Sequence, residues 1–146
     1  MNYKDEKEYL VNEIMSYRKI VDMCYKYEQI IAESEAAKIG ISSASFKEVV
    51  YENAGDPYKC QYNELNETIK INSAKLIPWQ LRRKWIEERL SLLNDTEFRI
   101  IKYKYIVSAK ATNAWIARTI GCHENTVKNT IDRSLEKMLK FVGSHK

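Results

Sequence analysis

The chain is poor in the residues that interrupt helices. Its 146 residues include only 4 Gly and 2 Pro, too few to punctuate a loop-rich or all-β fold, so the balance falls to helix. The three cysteines, Cys24, Cys60 and Cys122, are far apart. An odd count without CxxC spacing argues against a disulfide framework or a zinc site. There is no glycine-rich phosphate loop. The two histidines are His145 in the tail and His123, which has no carboxylate placed to partner it. No apolar run approaches the roughly 20 residues of a membrane span. The opening MNYKDEKEY is charged and lacks the apolar core of a signal peptide. There is no internal repeat and no low-complexity tract. These absences point to a cytoplasmic, reduced protein with no membrane partner, no metal, no cofactor and no enzymatic role.

What is present is ordinary in bulk and uneven in detail. Hydrophobic residues make up 45% and charged residues 30%, as in soluble globular proteins. The length suits one compact domain or two small helical units. The net charge of +4 is not evenly spread: residues 1–40 carry −2, residues 41–75 carry −1 and residues 76–146 carry +7. A basic back half fits either a nucleic-acid-binding end or a solvated basic face.

Residues 3 to about 39 read as one long helix, because Leu10, Ile14, Tyr17, Val21, Cys24 and Ile31 recur by fours and threes. That stripe must pack on another helix, in the same chain or in a second copy. Gly40 sits where a helix-ending glycine would. From Ile41 to about Tyr58 the periodicity fades; ISSAS and NAGDP read as a connector, with one helical turn around Phe46 to Tyr51. Tyr62, Leu65 and Ile69 restart a helix. Pro78 is expected to break or kink it, because proline costs several kcal/mol inside a helix. A new helix is then expected from Pro78 to about Leu93, with Trp85 (or Ile86), Leu90 and Leu93 inside. Asn94 and Glu97 have capping-box spacing. Phe98, Ile101 and Tyr105 are expected inward, with Arg99, Lys102 and Lys104 outward, on a helix ending near Val107. The organisation is thus residues 1–75, with a linker at about 40–60, followed by residues 76–146.

The segment TNAWIARTIGCHENTV carries the functional signal. Thr112 can cap a short helix whose inner face is Ile116 and Ile120. Ala117 is small where two helices must cross closely. Gly121 stands where a tight turn needs positive φ. Val127 comes six residues later, and Ile131, Leu135 and Met138 extend its face. Small residue, glycine and β-branched residue at these offsets form the helix-turn-helix arrangement. The second helix then turns outward His123, Glu124, Asn125, Lys128, Asn129, Asp132, Arg133 and Lys137. Asn can bond adenine in a bidentate way and Glu can accept from cytosine, while Lys128, Arg133 and Lys137 suit phosphate. An ordinary αα-corner is the plainer alternative, but two Asn on the leading exposed turns add nothing to packing. Cys122 is expected to be a small core residue; Trp79, Trp85 and Trp115 could stack on bases, but their helical spacing favours core packing. The basic run QLRRKW at Gln80 to Trp85 suits a DNA backbone or a solvated face equally.

Leu93 to Val142 resembles region four of bacterial sigma factors, which reads the upstream promoter element. LNDTEFRIIKYKY, TNAWIARTIGCHENTV and IDRSLEKML carry the resemblance, over about the last third of the chain. The overall layout resembles phage-encoded regulators of the ArpU and RinA type. The resemblance implies an all-α fold: an N-terminal long helix or helical hairpin, then a sigma region-four-like DNA-binding domain. It implies base reading by Glu124, Asn125 and Asn129, and backbone contacts near His123, Lys128 and Arg133, with double-stranded DNA and RNA polymerase as partners. A homodimer through the N-terminal helix is a further expected association. Two departures stand out. Sigma factors usually place Ser or Thr where this chain has His123. The base-reading set also lacks the arginine that would read guanine. A phage packaging protein of the small-terminase kind and a region-four mimic that binds protein are the competing readings.

Overall fold

The computed structural model describes residues 2–47, 57–108 and 110–141. Among them the chain is helical throughout: α1 (Tyr3–Met15), α2 (Tyr17–Lys47), α3 (Pro57–Leu90), α4 (Asp95–Ile101), a π-helical turn (Lys102–Val107), α5 (Asn113–Ile120) and α6 (Glu124–Leu139). Among the described residues, no helix is long and apolar enough to cross a membrane.

The expected single N-terminal helix is two. Asn2 caps α1 by accepting from the Asp5 amide at 2.9 Å, and Asp5 and Glu6 favour its first turn. The helix breaks at Ser16, whose hydroxyl donates to the Asn12 carbonyl at 2.9 Å. Such a back-bond competes with the helical ladder and bends it. Beyond Ser16, α2 runs on past Gly40, and the helix includes Ile41–Lys47. The glycine does not end it: Gly40 lacks the positive φ that a helix-ending glycine takes. The helical turn and the NAGDP turn expected near residues 46–56 lie largely outside the described residues.

The expected break at Pro78 is absent: α3 is continuous through it. Proline removes one ladder bond, but burial of Leu76 before it and of Ile86 and Leu90 after it holds both sides in helix. Leu93 and Trp85 are only half-buried.

The chain divides into two compact units that do not follow the expected boundary near residue 75. One comprises Met1–Ile20 with Leu81–Lys146, and the other is Val21–Gln80. The second unit is built from α2 and α3, with the Lys38 ammonium 5.1 Å from the Tyr62 ring. Cys24, Ser34 and Leu76 are its buried residues among those described. The first unit holds the larger core: Leu10, Ile14, Ile86, Ile100, Ile101, Ile116, Val127, Leu135 and Met138 are nearly or fully buried. Here α6 packs on α4, α5 and α1, while α1 also packs on the π-helical turn. The apolar stripe of α1 is therefore engaged within its own chain. Arg82 grips buried Glu13 with two bonds of 3.1 and 2.7 Å, and the Tyr9 and Trp85 rings meet edge to face at 5.3 Å. Arg89 lies 3.9 Å over the Trp85 ring and 5.4 Å from Phe141.

The α4 face differs from the expected one by one position. Ile100 and Ile101 are fully buried, whereas Phe98 is exposed. Within α4 the inward side runs Glu97, Ile100 and Ile101, at offsets of three and four, which leaves Phe98 turned about 100° from Glu97. Lys104, expected outside, reaches back to the Ala111 carbonyl at 3.4 Å.

The capping box at α4 forms as expected. Asn94 Oδ1 accepts from the Glu97 amide at 2.8 Å, and Glu97 Oε1 accepts from the Asn94 amide at 3.0 Å. Glu97 is buried, and the same oxygen accepts from Lys137 Nζ at 2.8 Å. The Lys137 ammonium first, and the Asn94 amide second, hold this carboxyl below the ordinary carboxylate range. Its contribution to stability is therefore complete above the unfolded value of about 4.3, and is lost as pH falls through that value towards the lower folded one. Glu97→Gln keeps the cap acceptor and removes the charge. It should cost about 1–2 kcal/mol at neutral pH and less at pH about 2, as acid protonates Glu97. Thermal melts of the two proteins at both pH values check this. Ser134 gives a second prediction. Its buried hydroxyl has no hydrogen-bond partner among the described residues. Ser134→Ala removes an unsatisfied polar atom, so its melting temperature should equal or exceed that of the unmodified protein.

Candidate nucleic-acid interface

The α5–turn–α6 segment is assembled by local rules. Thr112 Oγ1 accepts from the Trp115 amide at 3.1 Å and starts α5. Ile116 and Ala117 are buried, Ile116 completely; Ile120 is half-buried. Gly121 ends the helix in the left-handed region, at φ 87° and ψ 43°. The amides of Gly121 and Cys122 both donate to the Ala117 carbonyl, at 2.8 and 3.0 Å. This doubled bond closes the turn so tightly that α6 begins three residues after the glycine. Val127 and Ile131 then bury against the first unit's core. All six residues expected to form the inner face of this motif (Ile116, Ala117, Ile120, Gly121, Val127 and Ile131) thus occupy the turn or the α5–α6 packing face. Cys122 is half-buried, not a closed core residue.

His123 stands at the α6 N-cap and makes no side-chain capping bond. That follows from its type: its ring is poorly placed to do what a Ser or Thr hydroxyl does. Glu124 supplies a favourable charge in the first turn instead.

The expected reading residues lie on one open face. Glu124, Asn125, Lys128 and Asn129 are all exposed, as are His123, Asp132, Arg133 and Lys137. The spacing of Asn125, Lys128, Asn129 and Asp132 places them along one side of α6. The proposed backbone contacts are less uniform. Lys137 is bonded to Glu97, so its charge is answered within the protein. Arg133 has its Nη2 3.4 Å from the Thr130 hydroxyl. Lys140, one turn further on, pairs with Glu136 at 3.0 Å.

The exposed charges of α6 nearly cancel. Glu124 and Asp132 oppose Lys128 and Arg133, and the last turn is internally paired. The QLRRKW run is likewise spent inside the protein. Arg82 pairs with Glu13, Arg83 with Glu87 and Lys84 with Glu88. The open positive charge of the first unit lies elsewhere. Outside α6, Lys4, Lys19, Arg99, Lys102, Lys110 and Arg118 are exposed and form no ion pair among the described residues.

One exposed aromatic was missed by the sequence reading. Trp115, expected in the core, is 43% exposed. Its neighbours Ile116 and Ala117 are the buried positions of an eight-residue helix, so Trp115 sits about 100° away from Ile116. That phase was available from spacing alone.

Comparison of the chain with family models, with curated proteins and with solved structures returns no match. Among the described residues, no group of three or more His, Cys, Asp or Glu is placed to hold a metal.

The turn gives a direct test of its geometry. A Cβ at Gly121 would meet no atom within 4 Å, but the backbone has positive φ. Gly121→Ala should therefore cost about 1–2 kcal/mol through backbone strain alone. Gly121→Asn should cost less, because Asn tolerates this conformation. Denaturant unfolding of both variants checks the order; equal losses would place the cost elsewhere.

Proposed function

We propose that this protein is a sequence-specific, double-stranded DNA-binding transcription regulator that acts at a promoter together with RNA polymerase. The observation that carries the reading is the α5–Gly121–α6 geometry, with Asn125, Lys128 and Asn129 exposed on the leading side of α6. In that role α6 enters the major groove. Glu124, Asn125 and Asn129 face base edges, where Asn pairs bidentately with adenine and Glu accepts from cytosine. Lys128 and Arg133 meet phosphate, and α5 crosses the backbone. The expected resemblance to sigma region four and to phage regulators supports the promoter and polymerase assignment.

A second reading has its own observation. Because the exposed charges of α6 cancel, this face also suits a protein-binding mimic of region four, which needs no net attraction to phosphate.

Selection of bound sequences from a random duplex pool separates the two. The regulator reading expects enrichment of one motif. Asn129→Ala should relax preference at one base position, costing about 1–3 kcal/mol on the preferred site. Lys128→Ala should weaken all sequences about equally and lower the salt slope by about 1. Uniform loss in both variants would refute the division of roles. No enrichment and no salt-dependent binding would favour the mimic.

A further inference from the structure

The second unit has little core for its length. From Val21 to Gln80 it buries only Cys24, Ser34 and Leu76 among the described residues. Two helices meet along one line of contact, and a helical unit gains an enclosed core when further helices close around that line. The inner row of α2 is already spent on α3. Cys24 is buried, Ile31 is half-buried, and the Lys38 ammonium stands 5.1 Å from the Tyr62 ring of α3.

A second row on α2 is left open. Tyr25, Ala32 and Ile39 each follow a residue of the inner row by one position, so they lie about 100° round the helix from it. Gln29 and Ala36 fall between them. The spacing of four, three, four and three is that of a seam between two helices. All five residues are exposed. Tyr25 is 62% exposed, and Ile39, at 69%, is the most exposed large apolar side chain among the described residues. The row runs about 21 Å along the helix.

The row is complementary to itself. Turned end for end about Ala32, it sets Tyr25 against Ile39 of a second copy, because each lies seven residues from that centre. Ala32 meets the second copy's Ala32, and these small side chains let the two backbones approach closely. Gln29 comes opposite the second copy's Glu35, where its amide donates to the carboxylate. Glu35 is open to this: its side chain is 52% exposed and its ion pair with Lys38 is long, at 3.9 Å. A twofold axis makes the Tyr25–Ile39 and Gln29–Glu35 contacts twice. The polar pair also fixes the register, since a shift would leave Gln29 facing an apolar residue.

We propose that the partner of this row is a second copy of the chain, with the two α2 helices packed antiparallel along Tyr25, Gln29, Ala32, Ala36 and Ile39. Two α2–α3 pairs then form a four-helix arrangement. This seam is distinct from the N-terminal stripe of Leu10, Ile14, Cys24 and Ile31, which is used within the chain. The association does not depend on the regulator reading.

Sedimentation equilibrium of the full chain over a range of concentrations tests it. The mass should reach twice the 17.2 kDa of one chain. Ile39→Glu and Ala32→Glu each place two carboxylates in the seam and should raise the dissociation constant at least about a hundredfold. Both positions are exposed in the single chain, so circular dichroism should show the helix content unchanged. Ile71 is the control, being 48% exposed but on α3; Ile71→Glu should remain dimeric. Direction is read by cross-linking with oxidised glutathione, after exposed Cys60 and half-buried Cys122 are replaced by serine. Ala32→Cys should give a covalent dimer, because the axis brings its two copies within disulfide reach. Tyr25→Cys should not, because its counterpart lies at the far end of the seam. A monomer at every concentration overturns the proposal and leaves the row to a different protein. A dimer that survives both glutamate variants overturns the α2 seam. Cross-linking through Tyr25→Cys overturns the antiparallel packing.

Discussion

The burial of α6 is the constraint on which the first unit depends. Its stripe of Val127, Ile131, Leu135 and Met138 is too long for the short α5 to cover. α4 covers part of it and α1 covers more, which is why residues from the far N-terminus share a core with the last third of the chain. Glu13 with Arg82, and Arg89 between Trp85 and Phe141, then fasten the C-terminal end of α3 into the same unit. The pair is unequal: Glu13 is buried, while the Arg82 side chain is 39% exposed, so removing the arginine, which leaves a buried carboxylate without these two bonds, is the more harmful change. With its inner side so fully engaged, α6 has one side left to present, and that side is polar.

Charge placement refines what a net value of +7 over residues 76–146 implies. Most of the basic run around Arg82 is internally paired, and so is the end of α6. What remains open is spread over α4, the π-helical turn, α5 and the first half of α6. A summed charge says that a unit is basic; the pairings decide where a polyanion would feel it. Lys137 shows this well. From spacing it is one more cation on an outward face, whereas in the fold it completes a capping box forty positions earlier in the chain.

Much of this was legible in the sequence because it is governed by local rules. The Asn94–Glu97 box, the Thr112 cap, Gly121 and the inner face of α5 and α6 each need only a few residues at fixed offsets. The misreadings have non-local causes. Pro78 looked like a break because local propensity opposes helix there, but burial on both sides prevails. Gly40 looked like an end for the same reason. Phe98 was misplaced because the inward place beside it is taken by a charged residue, Glu97, which bonds to Lys137 forty positions away. The pairing of α1 with α6 could not be read at all: an amphipathic stripe says that a partner exists, not which one. Trp115 is a different case, since its exposure follows from helical phase and was obscured by its hydrophobic type.

The sequence discontinuity of the first unit bears on how the chain folds. Contacts between α1 and α6 join residues more than a hundred positions apart, and closing so large a loop in a disordered chain carries an entropic cost. High separation between contacting residues slows folding. Here the intervening length is largely helix, which shortens the span that must be searched. The order of synthesis adds a second consequence: α1 emerges before α6 and cannot bury Leu10 and Ile14 against it until all the intervening residues have been made. Until then its apolar stripe stays open, and the nascent protein is an amphipathic helix waiting for its partner, the form most exposed to chaperones and to misassociation.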